Sequence, residues 1–166
     1  MKKLVFIMMV FLGVMAFTLP SYATSFTLDY DFEFSGAYAP VGEAPWLMVT
    51  VDDQGTAGSV HFTFEDVGLT DDEAVGDWFF NLNPNKTFTT WSLVGGVEPD
   101  SIYFSQNAYN ADGDGYFDLK FVFNKKFGVG ATAEVTLNGT NLVADDFLFL
   151  SLPKAGEGNP GPFYSA

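Results

Sequence analysis

The stretch "WLMVTVDDQGTAGSVHFTF", residues 46–64, decides the fold. Residues 46–52 are nearly continuous in apolar character, as a central β-strand requires. "DDQGTAG" then supplies the Asp and Gly chemistry of a turn. Beyond it, Val60, Phe62 and Phe64 alternate with Ser59, His61, Thr63 and Glu65. That period of two places one set of side chains in a core and the other in water. Two strands joined by such a turn predict an antiparallel hairpin.

The same pattern recurs on both sides of the hairpin. In residues 26–34, Phe26, Leu28, Tyr30, Phe32 and Phe34 share one face, and Thr27, Asp29, Asp31 and Glu33 the other. Downstream, "DWFFNLNP", "TFTTWSLV", "SIYFS", 116–123 "YFDLKFVF", 131–137 "ATAEVTL" and 146–152 "DFLFLSL" are further strand candidates, separated by Gly-, Pro- and Asn-rich turns. "VGLTDDEAVG" is a polar excursion with room for one helical turn. Eight or nine short strands with no amphipathic helix predict an all-β fold, an antiparallel two-sheet β-sandwich of jelly-roll-like arrangement. Nineteen phenylalanines can fill its core.

The ends bound the domain. Lys2 and Lys3 precede the uncharged stretch Leu4–Phe17, and Pro20 leads into Ser21-Tyr22-Ala23, a small-x-small cleavage pattern. The stretch is short against the roughly 20 apolar residues that cross a bilayer. Residues 1–23 therefore read as a secretory signal, 24–152 as the sandwich and 153–166, "PKAGEGNPGPFYSA", as an irregular Pro/Gly-rich end. No membrane insertion is expected once the signal is cleaved. The chain contains no cysteine, which removes disulfides, thiol nucleophiles and thiolate metal sites. It contains no arginine either. Loss of Lys2 and Lys3 leaves five lysines against 21 acidic residues, a net charge of −16. Such a surface repels nucleic acid and anionic membranes, which need basic patches. Cations, neutral sugars and basic surfaces remain as partners.

One segment carries metal chemistry. In "NADGDGYFDLKF", residues 110–121, Asn110, Asp112 and Asp114 fall at the first, third and fifth positions of an EF-hand-type loop. Gly115 sits at the sharp turn, the Tyr116 carbonyl at position seven and Asp118 at position nine. Phe121 stands where the bidentate Glu would close the shell, so these five residues predict at most a low-affinity Ca²⁺ site, in the range of about 0.1–1 mM. The competing reading is a metal-free polar turn, with Asp118 and Lys120 on the solvent face of a strand and Phe117, Leu119, Phe121 and Phe123 inward.

Other residues point to less. His61, the single histidine, falls on the polar face of its strand and reads as a hydrated surface side chain. Asp52-Asp53, Asp71-Asp72-Glu73 and Asp145-Asp146 lie at turns, and nothing sets any two of them across a cleft as a glycosidase pair needs. No catalytic residues are expected. Trp46 and Trp78 sit in apolar runs and read as core. Trp91, with polar neighbours, reads as a sugar-stacking platform.

"APWLMVTVDDQGTAGSVHFTF", "DWFFNLNPN", "NAYNADGDGYFDLKFVF" and "GPFYSA" together resemble bacterial exosortase-sorted (PEP-CTERM-type) secreted proteins of unknown function. The resemblance implies a Gram-negative, exopolysaccharide-forming source, a secreted β-sandwich and no established activity. The Pro-Glu-Pro motif, hydrophobic helix and basic end of that sorting signal are not found before Ala166, so the chain is either truncated or released without an anchor. The expected function is a non-catalytic extracellular matrix or cell-surface protein that contacts polysaccharide and binds calcium weakly. The alternatives are a structural or adhesive protein without a defined ligand and, third, a carboxylate-based polysaccharide hydrolase or lyase.

Overall fold

The computed structural model describes residues 22–32, 38–111 and 115–152. Within them the chain forms strands β1 (Ser25–Tyr30), β2 (Leu47–Asp52), β3 (Ser59–Asp66), β4 (Ala74–Phe80), β5 (Thr90–Gly96), β6 (Ser101–Ala111), β7 (Gly115–Gly128) and β8 (Thr132–Asn138). A short 3-10 turn, η1, follows at Ala144–Phe147. The hairpin expected at residues 46–64 is β2–β3, paired in register from Leu47↔Asp66 to Asp52↔His61. Of the signal segment only Tyr22 and Ala23 are described, and both are exposed. The C-terminal segment 153–166 lies outside the described residues.

Two antiparallel sheets result, ordered β1-β2-β3-β8-β5 and β4-β7-β6. From β3 to β6 the chain changes sheet at every connection. The β6–β7 hairpin and the β8–β5 pair continue one rolled-up ribbon, flanked by β4 and β3. That is a jelly-roll-like winding, and β1 and β2 extend the larger sheet beyond β3. Where the strands alternate, one face of each sheet is aromatic, and burying both faces against each other closes the sandwich.

The core is built mostly from phenylalanine. Phe62 of β3 meets Phe80 at 5.2 Å, Phe121 at 5.4 Å and Phe147 at 4.9 Å between ring centroids. Phe64 meets Trp78 at 5.1 Å, Phe121 at 5.0 Å and Phe123 at 5.8 Å. Most of these pairs are edge-on, the geometry that the ring quadrupole favours. Trp78 is core, as its apolar run predicts, whereas Trp46 is half-buried and its Nε1 donates to the Gly42 carbonyl at 2.8 Å.

Three elements depart from expectation. No strand forms at 146–152: Asp146 turns inward to accept the Val143 N–H at 3.0 Å, which closes η1 instead. Leu148, Phe149 and Leu150 then run exposed along the rim, and only Leu152 pairs, with Tyr116. Residues 67–73 hold turns and no helix. Strand β6 extends to Ala111, broken by a bulge between Phe104 and Tyr109. Opposite that bulge Phe117, Asp118 and Leu119 are all buried, so the inside–outside alternation of β7 fails there.

Candidate functional site: the outer face of the three-stranded sheet

The acidic turn occupies the tip of the β6–β7 hairpin. Asp112 and Asp114 lie outside the described residues. Of the remaining candidate calcium ligands, Asp118, the Tyr116 carbonyl and the Asn110 amide nitrogen make contacts within the fold. The Asn110 amide nitrogen reaches the carbonyls of Gly115 at 3.0 Å and Ala111 at 3.1 Å. The Tyr116 carbonyl accepts the Leu152 N–H at 3.2 Å. Asp118 departs from the expected solvent face: it is 6 % exposed, and its two oxygens accept Asn107 N–H at 2.7 Å and Leu82 N–H at 3.0 Å. It fastens the β6 bulge to the end of β4. Gly115 has a φ of 98°, and a Cβ there would run into the Leu152 carbonyl. Both its left-handed backbone and the close approach of Leu152 require glycine. Among the described residues, no three His, Asp or Glu side chains converge as a metal site.

Trp91 is corrected in position. It pairs with buried Leu137 and packs against the core from β5, so its ring is not a free platform. Polar neighbours in sequence are misleading here, because in a strand they belong to the opposite face.

Aromatics that reach the surface gather instead on the outer face of β4-β7-β6, with Tyr103 exposed and Phe79 and Tyr109 half-buried. Phe79, Lys120 and Tyr103 stand side by side across the three strands, in the registers Phe79↔Lys120 and Tyr103↔Lys120. Tyr103 is 52 % exposed, and its ring lies 6.5 Å from that of Tyr109, tilted by 37°. Phe79 rests on Phe117 at 5.9 Å. Phe117 is buried yet stands apart from the main core cluster, contrary to the inward position expected beside Leu119. The Lys120 ammonium sits 5.3 Å from the centre of the Phe79 ring and 2.8 Å from Asp77 Oδ2. Burial, reinforced by Tyr103, pushes the Tyr109 phenol above its ordinary value, while Lys120 pulls it back. The Tyr109 phenol thus stays neutral and able to donate and accept hydrogen bonds at physiological pH. Sequence reasoning passed over this face. Its signal is "SIYFSQNAYNA", residues 101–111, an uncharged run of aromatics and amides in a strongly acidic chain.

Two clefts accompany it. One of about 120 Å³ lies between the β6 bulge and the C-terminal rim, with Gln106 and Asn107 facing Pro84, Phe149 and Leu150. Another of about 100 Å³ lies by the β2–β3 turn, lined by Asp52, Asp53, Ser59, His61 and Thr136. In the second, His61 Nδ1 is 3.2 Å from Thr136 Oγ1 and Nε2 is 3.6 Å from Glu134 Oε2. The side chain is 17 % exposed, more sheltered than the hydrated surface position expected of it. The backbone N–H groups of Gln54 and Gly55 beside it are taken by Asp52 and Asp53, at 2.7 and 2.9 Å.

The three acidic turn clusters each commit at least one carboxylate to backbone N–H groups. Asp53 accepts Thr24, Gly55 and Ala144. Glu73 accepts Val41 at 2.8 Å and Thr70 at 2.7 Å, which holds its carboxyl below the ordinary value. Asp146 accepts Val143 and pairs with Lys86 at 3.1 Å. No helix among the described residues is long and apolar enough to cross a membrane. Compared with known proteins, the chain matches no family model, no curated protein and no solved structure.

Proposed function

We propose that this chain is a non-catalytic secreted β-sandwich of the extracellular matrix or cell surface that holds polysaccharide on the outer face of its three-stranded sheet. The observation that carries the reading is the half-exposed Tyr103 beside Tyr109, over the Phe79–Phe117 floor. A pyranose ring presents C–H groups that match the negative face of an aromatic quadrupole, and its hydroxyls match phenol and amide groups. A partly exposed cluster of aromatic rings on an otherwise strongly charged chain suits a binding surface. The non-catalytic part is supported by the turn clusters, where at least one carboxylate of each holds backbone in place. The imidazole–hydroxyl contact of His61 and Thr136 is supported by no spare amide from Gln54 or Gly55, such as an oxyanion would need.

The test is retardation in affinity gels containing soluble polysaccharide. Tyr103→Ala should weaken retention about tenfold, in line with about 1–1.5 kcal/mol for one aromatic contact. Its melting temperature should stay within a few degrees of the parent, because the ring is half-exposed. Equal retention of parent and variant, or none by either on any polysaccharide, removes the reading.

The acidic turn belongs to the proposal only as a weak calcium contact drawing on Asp112 and Asp114. Millimolar Ca²⁺ should then raise the melting temperature in the parent and leave an Asp112→Ala/Asp114→Ala variant unchanged. Matching responses in the two proteins take calcium out of the proposal.

A further inference from the structure

The outer face of β4-β7-β6 places a cation inside an aromatic patch and cancels it. Lys120 stands between Phe79 and Tyr103, where an ammonium would meet any ligand lying on the rings. Asp77, on the neighbouring strand, holds that ammonium at 2.8 Å. The same pairing recurs farther along β7, where Asp100 accepts both Lys126 and the Asn124 amide, the latter at 2.7 Å. Lys126 and then Asn124 hold the Asp100 carboxyl below its ordinary value, so it is ionised at neutral pH. Two of the three lysines of β7, Lys120 and Lys126, thus have carboxylates already attached, and the third, Lys125, lies exposed five residues beyond the aromatic patch. A face meant for uronate, sulfate or phosphate groups would leave such cations open, since bidentate or point-charge recognition of anions needs them unpaired.

We infer that the polysaccharide taken by this face is uncharged, and that Asp77 sets this choice by neutralising Lys120. The inference rests on the polysaccharide reading above and adds the ligand's charge class and the residue that selects it. The overall charge acts in the same direction: the surrounding field disfavours polyanions, and the Asp77–Lys120 pair removes the exception that Lys120 would make among the rings. Ions screen the distant acids within about 10 Å at 0.1 M salt, so the local pair matters most at the moment of contact.

The test compares affinity gels containing a neutral β-glucan with gels containing polygalacturonate, at low ionic strength. The parent should be retarded by the glucan and not by polygalacturonate. Asp77→Asn frees the ammonium and should gain retention on polygalacturonate of about three- to fivefold, the scale of one exposed ion pair. Asp77→Ser should gain similarly. The gain should vanish in Asp77→Asn/Lys120→Met and be lacking in Asp72→Asn, which makes the same change in net charge on an exposed turn. Retention of the parent on polygalacturonate equal to that on glucan overturns the inference. So does an Asp77→Asn protein that gains nothing, or an equal gain in Asp72→Asn. If the parent ignores both polysaccharides, the polysaccharide reading itself fails. Glucan retention without the Asp77 effect removes only the charge assignment.

Discussion

Phe62→Ala should be among the most destabilising single substitutions in this domain, at about 4 kcal/mol. Phe62 is fully buried at the middle strand of the larger sheet and touches Phe64, Phe80, Phe121 and Phe147. Its ring therefore joins β3, β4, β7 and η1 at one point. Removing it loses the transfer free energy of the ring and leaves a cavity, because the neighbouring rings cannot all move inward together. Rigid aromatic neighbours collapse poorly, which places the expected cost toward the upper part of the range for Phe→Ala. Urea unfolding at neutral pH gives the comparison directly, and the midpoint should fall with little change in slope. Trp91→Ala should cost less, since Trp91 is half-buried on the edge strand β5. A Phe62→Ala protein within about 1 kcal/mol of the parent would mean that this junction does not hold the sheets together.

The hairpin containing Phe62 is also where sequence and structure agree best. Its alternation is regular, its turn chemistry is strong, and both strands have a buried face. Agreement weakens where tertiary contacts override local pattern. Residues 146–152 are apolar enough for a strand, yet Asp146 finds the Val143 amide and Lys86 and the segment turns at η1. Phe117 and Asp118 follow the alternation of β7 in sequence, but the β6 bulge shifts their surroundings. Nothing in "YFDLKF" reports a bulge in the strand beside it.

The site was less legible than the fold for a related reason. The loop motif at 110–118 describes spacing along the chain, whereas ligand geometry depends on where each oxygen is pulled. Asp118 is drawn to Leu82, 36 residues away, and the Tyr116 carbonyl to Leu152. The aromatic face depends on register, since Phe79, Lys120 and Tyr103 are distant in sequence and meet only because three strands align. Composition held a partial clue, for residues 101–111 carry no charge in a chain with 21 acidic side chains. That clue marks the strand without saying which face its tyrosines share.

Asp53→Ala should be the most damaging change to a charged residue, at about 3 kcal/mol, and its cost should depend on pH. The Asp53 side chain accepts Thr24 N–H and Gly55 N–H at 2.9 Å each and Ala144 N–H at 3.4 Å. It thereby ties the approach to β1, the β2–β3 turn and the start of η1 at a position only 4 % exposed. Burial alone would raise this carboxyl, but the three amides outweigh it and hold it below the ordinary 3.8. A carboxyl lowered in the folded state contributes stability that is present above its unfolded value and disappears as pH falls through the folded value. Asp53→Asn keeps the shape and one acceptor oxygen but cannot ionise, so the stability gap between parent and Asp53→Asn should be widest at neutral pH. Below pH 3.8 the parent's Asp53 protonates and the gap should close, while Glu73 and Asp100, also lowered in the fold, weaken both proteins alike. Urea unfolding of the two proteins across this range reads the gap directly. A gap that stays constant from neutral pH to well below 3.8 would show that the charge on Asp53 contributes nothing and that its shape alone serves the three amides.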